Sequence, residues 1–263
     1  MDLNLNDKSV LVTGGNRGIG LAIALAFAAE GANVAICGRD QHALANAKQD
    51  IEACGVQAVA VAVDLFTASG CERAVAATVE AFGGLDVLVS NASTNIVGQL
   101  ESLTDEQLIE RIMGKTLASM RLCRAALAYL RKANGGRIVC IGGSSARSAN
   151  KNSLPSGLGN SSLSNFVKHF SNDVAPDGIT VNIIHPPFTK THRYPDRVAA
   201  RAAERGLSLA AAEASFAAEF PIGRVVEPSD IAPMVLFLAS RHASAITGQA
   251  LAIDGGATPY VAY

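Results

Sequence analysis

Short runs of β-branched and other apolar residues alternate along the chain with longer alanine-rich stretches almost to its end. The apolar runs fall at residues 9–13, 33–37, 57–63, 87–90, 137–141, 180–185 and 250–253. They are near-continuous, without the in–out alternation of a half-exposed strand, which marks strands covered on both faces. The intervening stretches predict helices over 18–30, 41–53, 68–82, 105–132, 158–174 and 229–240. Alternation of this kind predicts an α/β chain with a doubly wound parallel sheet of about seven strands and helices on both faces. Residues 188–220 interrupt the rhythm between the sixth and seventh strands. That segment is charged, alanine-rich and helical in propensity, and its place beyond a strand's carboxyl end suits a lid over a ligand crevice.

A length of 263 residues suits one large α/β core, so the chain reads as a single domain, 1–263, carrying the lid as an insertion. Net charge is −1, which supplies no field for nucleic acid or an anionic membrane, and no apolar stretch reaches membrane-spanning length. The five cysteines are scattered and form no C-x-x-C. They read as buried thiols in a reducing compartment, with no metal site or disulfide framework. Met1–Lys8 carries no basic-then-apolar signal, so a cytoplasmic location is expected.

Candidate chemistry begins at the first strand. Thr13-Gly14-Gly15-Asn16-Arg17-Gly18-Ile19-Gly20 follows Val10-Leu11-Val12 and opens the first helix. Strand, glycine turn and helix aim backbone N–H groups and a helix N-terminus at a pyrophosphate. Glycine serves there because a Cβ would block φ > 0 and close approach of the ligand. After the second strand come Cys37-Gly38-Arg39-Asp40. Arg17 and Arg39 each offer a rigid fork of donors suited to a ribose 2′-phosphate. Asp40 leaves two other roles open, acceptor for a ribose 2′-OH or partner of Arg39.

The ordered landmarks place the resemblance. Besides the glycine turn there are Asp64-Leu65 after the third strand and Asn91-Ala92 after the fourth. Further on stand Gly178-Ile179-Thr180-Val181-Asn182, Pro228-Ser229-Asp230-Ile231-Ala232, Ile246-Thr247-Gly248-Gln249 and Asp254-Gly255-Gly256. Almost end to end the chain resembles the short-chain dehydrogenases/reductases, a family with a Rossmann-type domain that reduces carbonyls or oxidises alcohols with NAD(P). The resemblance implies NADP(H) held by Gly14, Asn16, Arg17, Gly18, Ile19, Gly20, Arg39, Asp64, Leu65, Asn91, Ala92, Pro186 and Thr191. It further implies a small-molecule substrate and a homodimer or homotetramer, with Leu163, Phe166, Val167, Phe170 and the tail Pro259-Tyr260-Val261-Ala262-Tyr263 as core or subunit contacts.

The chemical half of the pattern departs from the family, which uses a tyrosine as general acid/base, a lysine four residues later, an upstream serine and an asparagine on the fourth helix. A gapless count from Gly178 puts Ser156 at the tyrosine and Asn160 at the lysine; no tyrosine lies between Tyr129 and Tyr194. The serine position falls on Gly143, with Ser144 or Ser145 available after a short slip, and the asparagine position falls on Lys115. The usual glycine after Asn91-Ala92 is Ser93, and the Pro-Gly near the nicotinamide is Pro186-Pro187. Lys115 opposite Asn160 would keep one ammonium in the cleft, so the catalytic candidates are Ser144, Lys115, Ser156 and Asn160. Three functions follow: a divergent NADP(H) oxidoreductase, a silent NADP(H)-binding sensor or partner subunit, or a nonredox lyase or isomerase reusing the pocket.

Overall fold

The computed structural model describes residues 1–94, 96–149 and 151–259. Seven strands form: β1 (Ser9–Thr13), β2 (Asn33–Gly38), β3 (Ala58–Ala62), β4 (Val87–Ser90), β5 (Arg137–Ile141), β6 (Thr180–His185) and β7 (Ala250–Ala252). They pair throughout in parallel, in the order β3-β2-β1-β4-β5-β6-β7. Helices α1 (Gly18–Ala29), α2 (Gln41–Glu52) and α9 (Pro228–Ala239) cover one face; α3 (Ala68–Phe82), α5 (Ala118–Lys132) and α6 (Leu154–Val174) cover the other. Val10 and Val12 point into the first core and Leu11 into the second, so a strand apolar at every position is what two covered faces require. The strand order reverses between β1 and β4, and a crevice opens there at the carboxyl ends of the strands.

Three expectations need correction. The helix read as 105–132 is broken: α4 (Asp105–Ile112) passes into a π-helical turn, Met113–Leu117, before α5 begins. Within this turn lies Gly114, where a Cβ would overlap the Phe66 ring. Thr116 Oγ1 bonds Ser162 Oγ at 2.6 Å, and Ser119 Oγ joins the Lys115 carbonyl to Ser90 Oγ, which pins the turn to α6 and β4. Second, α6 starts at Leu154 rather than 158, with Pro155 in its first turn, where its missing N–H costs nothing. Third, the thiols are not all buried: Cys54 is exposed, while Cys37, Cys71, Cys123 and Cys140 are buried and all five are free.

Along α6, Leu163 and Val167 point into the monomer's core, while Phe166 and Phe170 stack on each other, half-buried, at 5.1 Å between ring centroids. Of the tail read as a contact segment, residues 260–263 lie outside the described residues. Residues 188–220 fold as α7 (Tyr194–Arg205) and α8 (Leu209–Ala217). Phe188, Tyr194 and Phe216 cluster on the main core, and the Arg201 guanidinium lies 3.2 Å from the Phe216 ring centroid. The segment therefore packs as part of the domain, and its leading residues face the crevice.

Candidate active site at the sheet's switch point

The outer part of the crevice is built from backbone. Gly14 (φ +64°) and Gly18 (φ +57°) take left-handed conformations that a side chain would strain. A Cβ on Gly20 would stand 2.5 Å from Asn91 Nδ2 and closer still to the Gly14 carbonyl oxygen. Asn91 Nδ2 donates to the Thr13 carbonyl at 2.9 Å, and Thr13 Oγ1 accepts the N–H groups of Asn91 and Ala92. Asn91 thus ties the end of β4 to the glycine turn. No side chain caps the N-terminus of α1, so its first-turn amides remain available to an anion. These are the features a dinucleotide pyrophosphate needs, and the residues fit the cofactor.

A cavity of about 550 Å³ runs from this turn. Gly14, Asn16, Arg17, Gly18, Ile19 and Gly20 line it, as do Arg39, Asp64 and Leu65. Asn91, Ala92 and Thr191 also line it, whereas Pro186 does not. The Pro186 carbonyl instead accepts the Ser144 N–H at 2.9 Å and holds the loop after β5. Arg17 and Arg39 are exposed at the rim, and Arg39 lies 5.9 Å from the Phe66 ring centroid. Asp40 is not paired with Arg39: its carboxylate caps α2 by accepting the Ala43 N–H at 3.1 Å. The Asp64 carboxylate accepts the Phe66 N–H at 3.0 Å, while Thr67 caps α3.

The inner part is built from side chains. Lys115 lines the cavity from the π-turn although only 4% of it is exposed. Burial, reinforced by the charge of Arg111, brings its pKa down to about 7, against a small opposing effect of Cys140. Arg111, at the end of α4, is 6% exposed. Its Nη1 donates to Ser93 Oγ at 2.7 Å and to the Thr94 carbonyl, and its Nη2 donates to Ser156 Oγ at 3.2 Å. Burial and then Arg193 lower its pKa. Asn160 is buried and donates from Nδ2 to Ser145 Oγ at 3.0 Å. Arg111 Nε and Asn160 Oδ1 are buried without a hydrogen-bond partner among the described residues.

Of the four catalytic candidates, Lys115 lines the cavity; Ser144, Ser156 and Asn160 stand off it. The hydroxyl bonded to Asn160 belongs to Ser145, one residue beyond Ser144. A side chain at Gly143 would press on Asn160, with a Cβ only 2.7 Å from its Nδ2. Sequence reasoning missed Arg111, whose only signal was an arginine placed four residues before Lys115. His185 is a structural group: its Nε2 meets Ser164 Oγ at 3.1 Å, and Ser164 in turn donates to the Asn160 carbonyl. Burial pushes its pKa down to about 4, so the ring is neutral.

A parallel sheet with a glycine turn and an uncapped helix end at its switch point defines a dinucleotide-binding protein of the Rossmann class. The family model described as Enoyl-(Acyl carrier protein) reductase matches residues 14–258, and the chain belongs to the short-chain dehydrogenase/reductase family of oxidoreductases. It is similar to L-sorbose reductase from Gluconobacter frateurii, solved with NADPH and L-sorbose: TM-score 0.95, 30% identity, 99% of this chain and 100% of that one. A short chain dehydrogenase from Burkholderia cenocepacia, solved with NADP, is 34% identical with a TM-score of 0.85 over 96% of this chain and 98% of that one. Galactitol 2-dehydrogenase of Agrobacterium fabrum is 33% identical over 265 residues, 97% of this chain and 98% of that protein.

Proposed function

We propose that the protein is an NADP(H)-dependent oxidoreductase of a small carbonyl or alcohol substrate, working without the usual Tyr-x-x-x-Lys pair, in which Lys115 exchanges the proton. One observation carries this reading: a buried ammonium with a pKa of about 7 lines the same cavity as the glycine turn. A general acid is most effective when its pKa lies near the working pH. Gly14 to Gly20 and the end of α1 would hold the pyrophosphate, and Arg17 with Arg39 would take the 2′-phosphate. The NADPH and NADP in the two similar structures support that choice.

When bound, NADPH supplies the hydride for the carbonyl carbon. Lys115 Nζ gives its proton to the carbonyl oxygen as negative charge grows there, and the neutral amine left behind is reprotonated from water. In alcohol oxidation the neutral amine takes the hydroxyl proton. Ser156 is unsuited to this work: its hydroxyl is held by Arg111, and its short side chain keeps it off the cavity. Asn160 and Ser145 hold the wall in place. Residues 188–220 serve as the lid, because Thr191, His192 and Arg193 already line the cavity. The protein assembles as a homodimer or homotetramer, for which the half-buried pair Phe166 and Phe170 offers apolar surface; light scattering that finds only monomer at micromolar concentration would refute this.

The displacement of Ser144, Ser156 and Asn160 from the cavity favours a second reading, a silent NADP(H)-binding partner subunit. Single-turnover mixing of excess protein with NADPH and a panel of carbonyl compounds separates the two. Cofactor oxidation that Lys115→Met slows by about 10²–10⁴ supports the enzyme. Cofactor binding with no oxidation by any carbonyl supports the silent subunit.

A further inference from the structure

We propose that His192 is a clasp for the cofactor's pyrophosphate: its protonated imidazole closes from the lid onto the phosphates that the glycine turn and the open N-terminus of α1 are built to hold. This role rests on NADP(H) binding at that turn, whatever reaction follows.

The side chain reaches the glycine turn from a distant part of the chain. A Cβ on Gly18, the first residue of α1, would stand 3.7 Å from His192 Nδ1 and 3.4 Å from Thr191 Cγ2. Thr191 and His192 therefore lie against the helix end that no side chain caps, and His192, Arg17 and Gly18 line the same cavity. The segment is held at both ends. Before it, the Lys190 N–H donates to the Val226 carbonyl at 2.8 Å. After it, the Tyr194 N–H donates to the Thr191 carbonyl at 2.8 Å, and the Tyr194 ring is buried against Phe188 and Phe216. The imidazole is thus presented by fixed backbone, so little freedom is lost when it meets a ligand.

No hydrogen bond from the described residues occupies this ring. Partial burial, then the charges of Arg17 and Arg193, lower its pKa from the ordinary value, and Asp196 opposes them with a smaller effect. A proton on His192 sets a cation beside Arg17 and Arg193, which is costly until an anion lies among them. The pyrophosphate is such an anion: it stays ionised through neutral pH, and it belongs where the amides of α1 point. An imidazolium gives it a charge-assisted hydrogen bond, stronger than the bond a neutral ring donates. Cofactor binding should therefore raise the pKa of His192 and take up a proton, and by linkage affinity rises as pH falls.

The test is fluorescence titration of the full chain with NADPH at about pH 6 and about pH 8, either side of the ordinary histidine range. His192→Gln is expected to weaken NADPH about ten-fold at the lower pH and far less at the higher one. The ratio of wild type to variant cancels the titration of the cofactor's own 2′-phosphate, which both proteins meet. His192→Lys, charged at both values, should exceed His192→Gln by a similar factor at each. 2′-AMP, which carries the 2′-phosphate and no pyrophosphate, should bind wild type and His192→Gln alike. His192 is exposed on its turn, so these variants fold. Equal NADPH binding by wild type and His192→Gln at both pH values would overturn the clasp. A matching loss of 2′-AMP would move the histidine to the 2′-phosphate and overturn it too. The expected pattern in a protein that oxidises NADPH with no carbonyl leaves the clasp standing and sinks only the oxidoreductase reading; wild type that binds no NADPH sinks both.

Discussion

The two ends of the crevice are made of different material. At the glycine turn the working groups are backbone amides, aimed by the φ angles of Gly14 and Gly18 and by the open N-terminus of α1. At the far wall the side chain of Lys115 lines the cavity, with Arg111, Ser156 and Asn160 packed behind it from α4 and α6. A backbone site tolerates little change, because a single Cβ fills it. A side-chain site can be rewritten residue by residue while the sheet and helices keep their packing. The difference teaches that a turn built from backbone is fixed by its packing, whereas a wall built from side chains leaves room for sequence to vary.

The largest expected effect lies at the inner wall. Lys115→Met should slow substrate reduction by about 10²–10⁴, measured by NADPH absorbance at saturating cofactor. The same variant should raise the melting temperature of the cofactor-free protein, since it removes a buried charge; stabilisation of about 1–3 kcal/mol is the expected scale. Wild-type reduction should fall as pH rises through about 7, where the Lys115 ammonium loses its proton beside Arg111, Cys140 and His185. Brisk activity in Lys115→Met would erase the contrast between the two ends.

Next comes the backbone end. Gly20→Ala puts a methyl group against Asn91 Nδ2 and the Gly14 carbonyl, and strain of about 1–3 kcal/mol should weaken NADPH binding in fluorescence titration. Unchanged affinity would show that the turn yields more than its packing allows. Arg39→Ala should lower NADPH affinity several-fold and leave NADH affinity nearly unaltered, the extra phosphate being the group the guanidinium serves. Equal losses for both cofactors would assign Arg39 to adenine stacking or to the surface.

A separate effect concerns stability at low pH. His185 has a pKa near 6.5 when unfolded and about 4 in the fold, so the unfolded chain binds the extra proton first. Stability from this group is complete above about 6.5 and is lost as pH falls towards 4. His185→Gln should flatten that part of the acid limb in denaturant titrations, and an unaltered limb would place the acid sensitivity elsewhere.

The sheet was legible in the chain before any coordinate. Four strands, Ser9–Thr13, Val87–Ser90, Arg137–Ile141 and Thr180–His185, begin and end where their apolar runs do. A strand buried on both faces leaves a continuous apolar signature, and a phosphate turn leaves its glycines in a row, so both are local properties that a linear reading can follow. The π-turn contains Gly114, yet what that glycine packs against, Phe66 from the connection between β3 and α3, is not written beside it in the chain. Arg111 had no local mark beyond its place four residues before Lys115. Its role arises because Gly159 on α6, where a Cβ would come within 3.3 Å of the Arg111 carbonyl, lets two helices meet closely enough to bury a guanidinium against Ser156. Periodicity records which face of an element is apolar; which side chains from separate elements share a dielectric and a charge is decided only by how those elements pack.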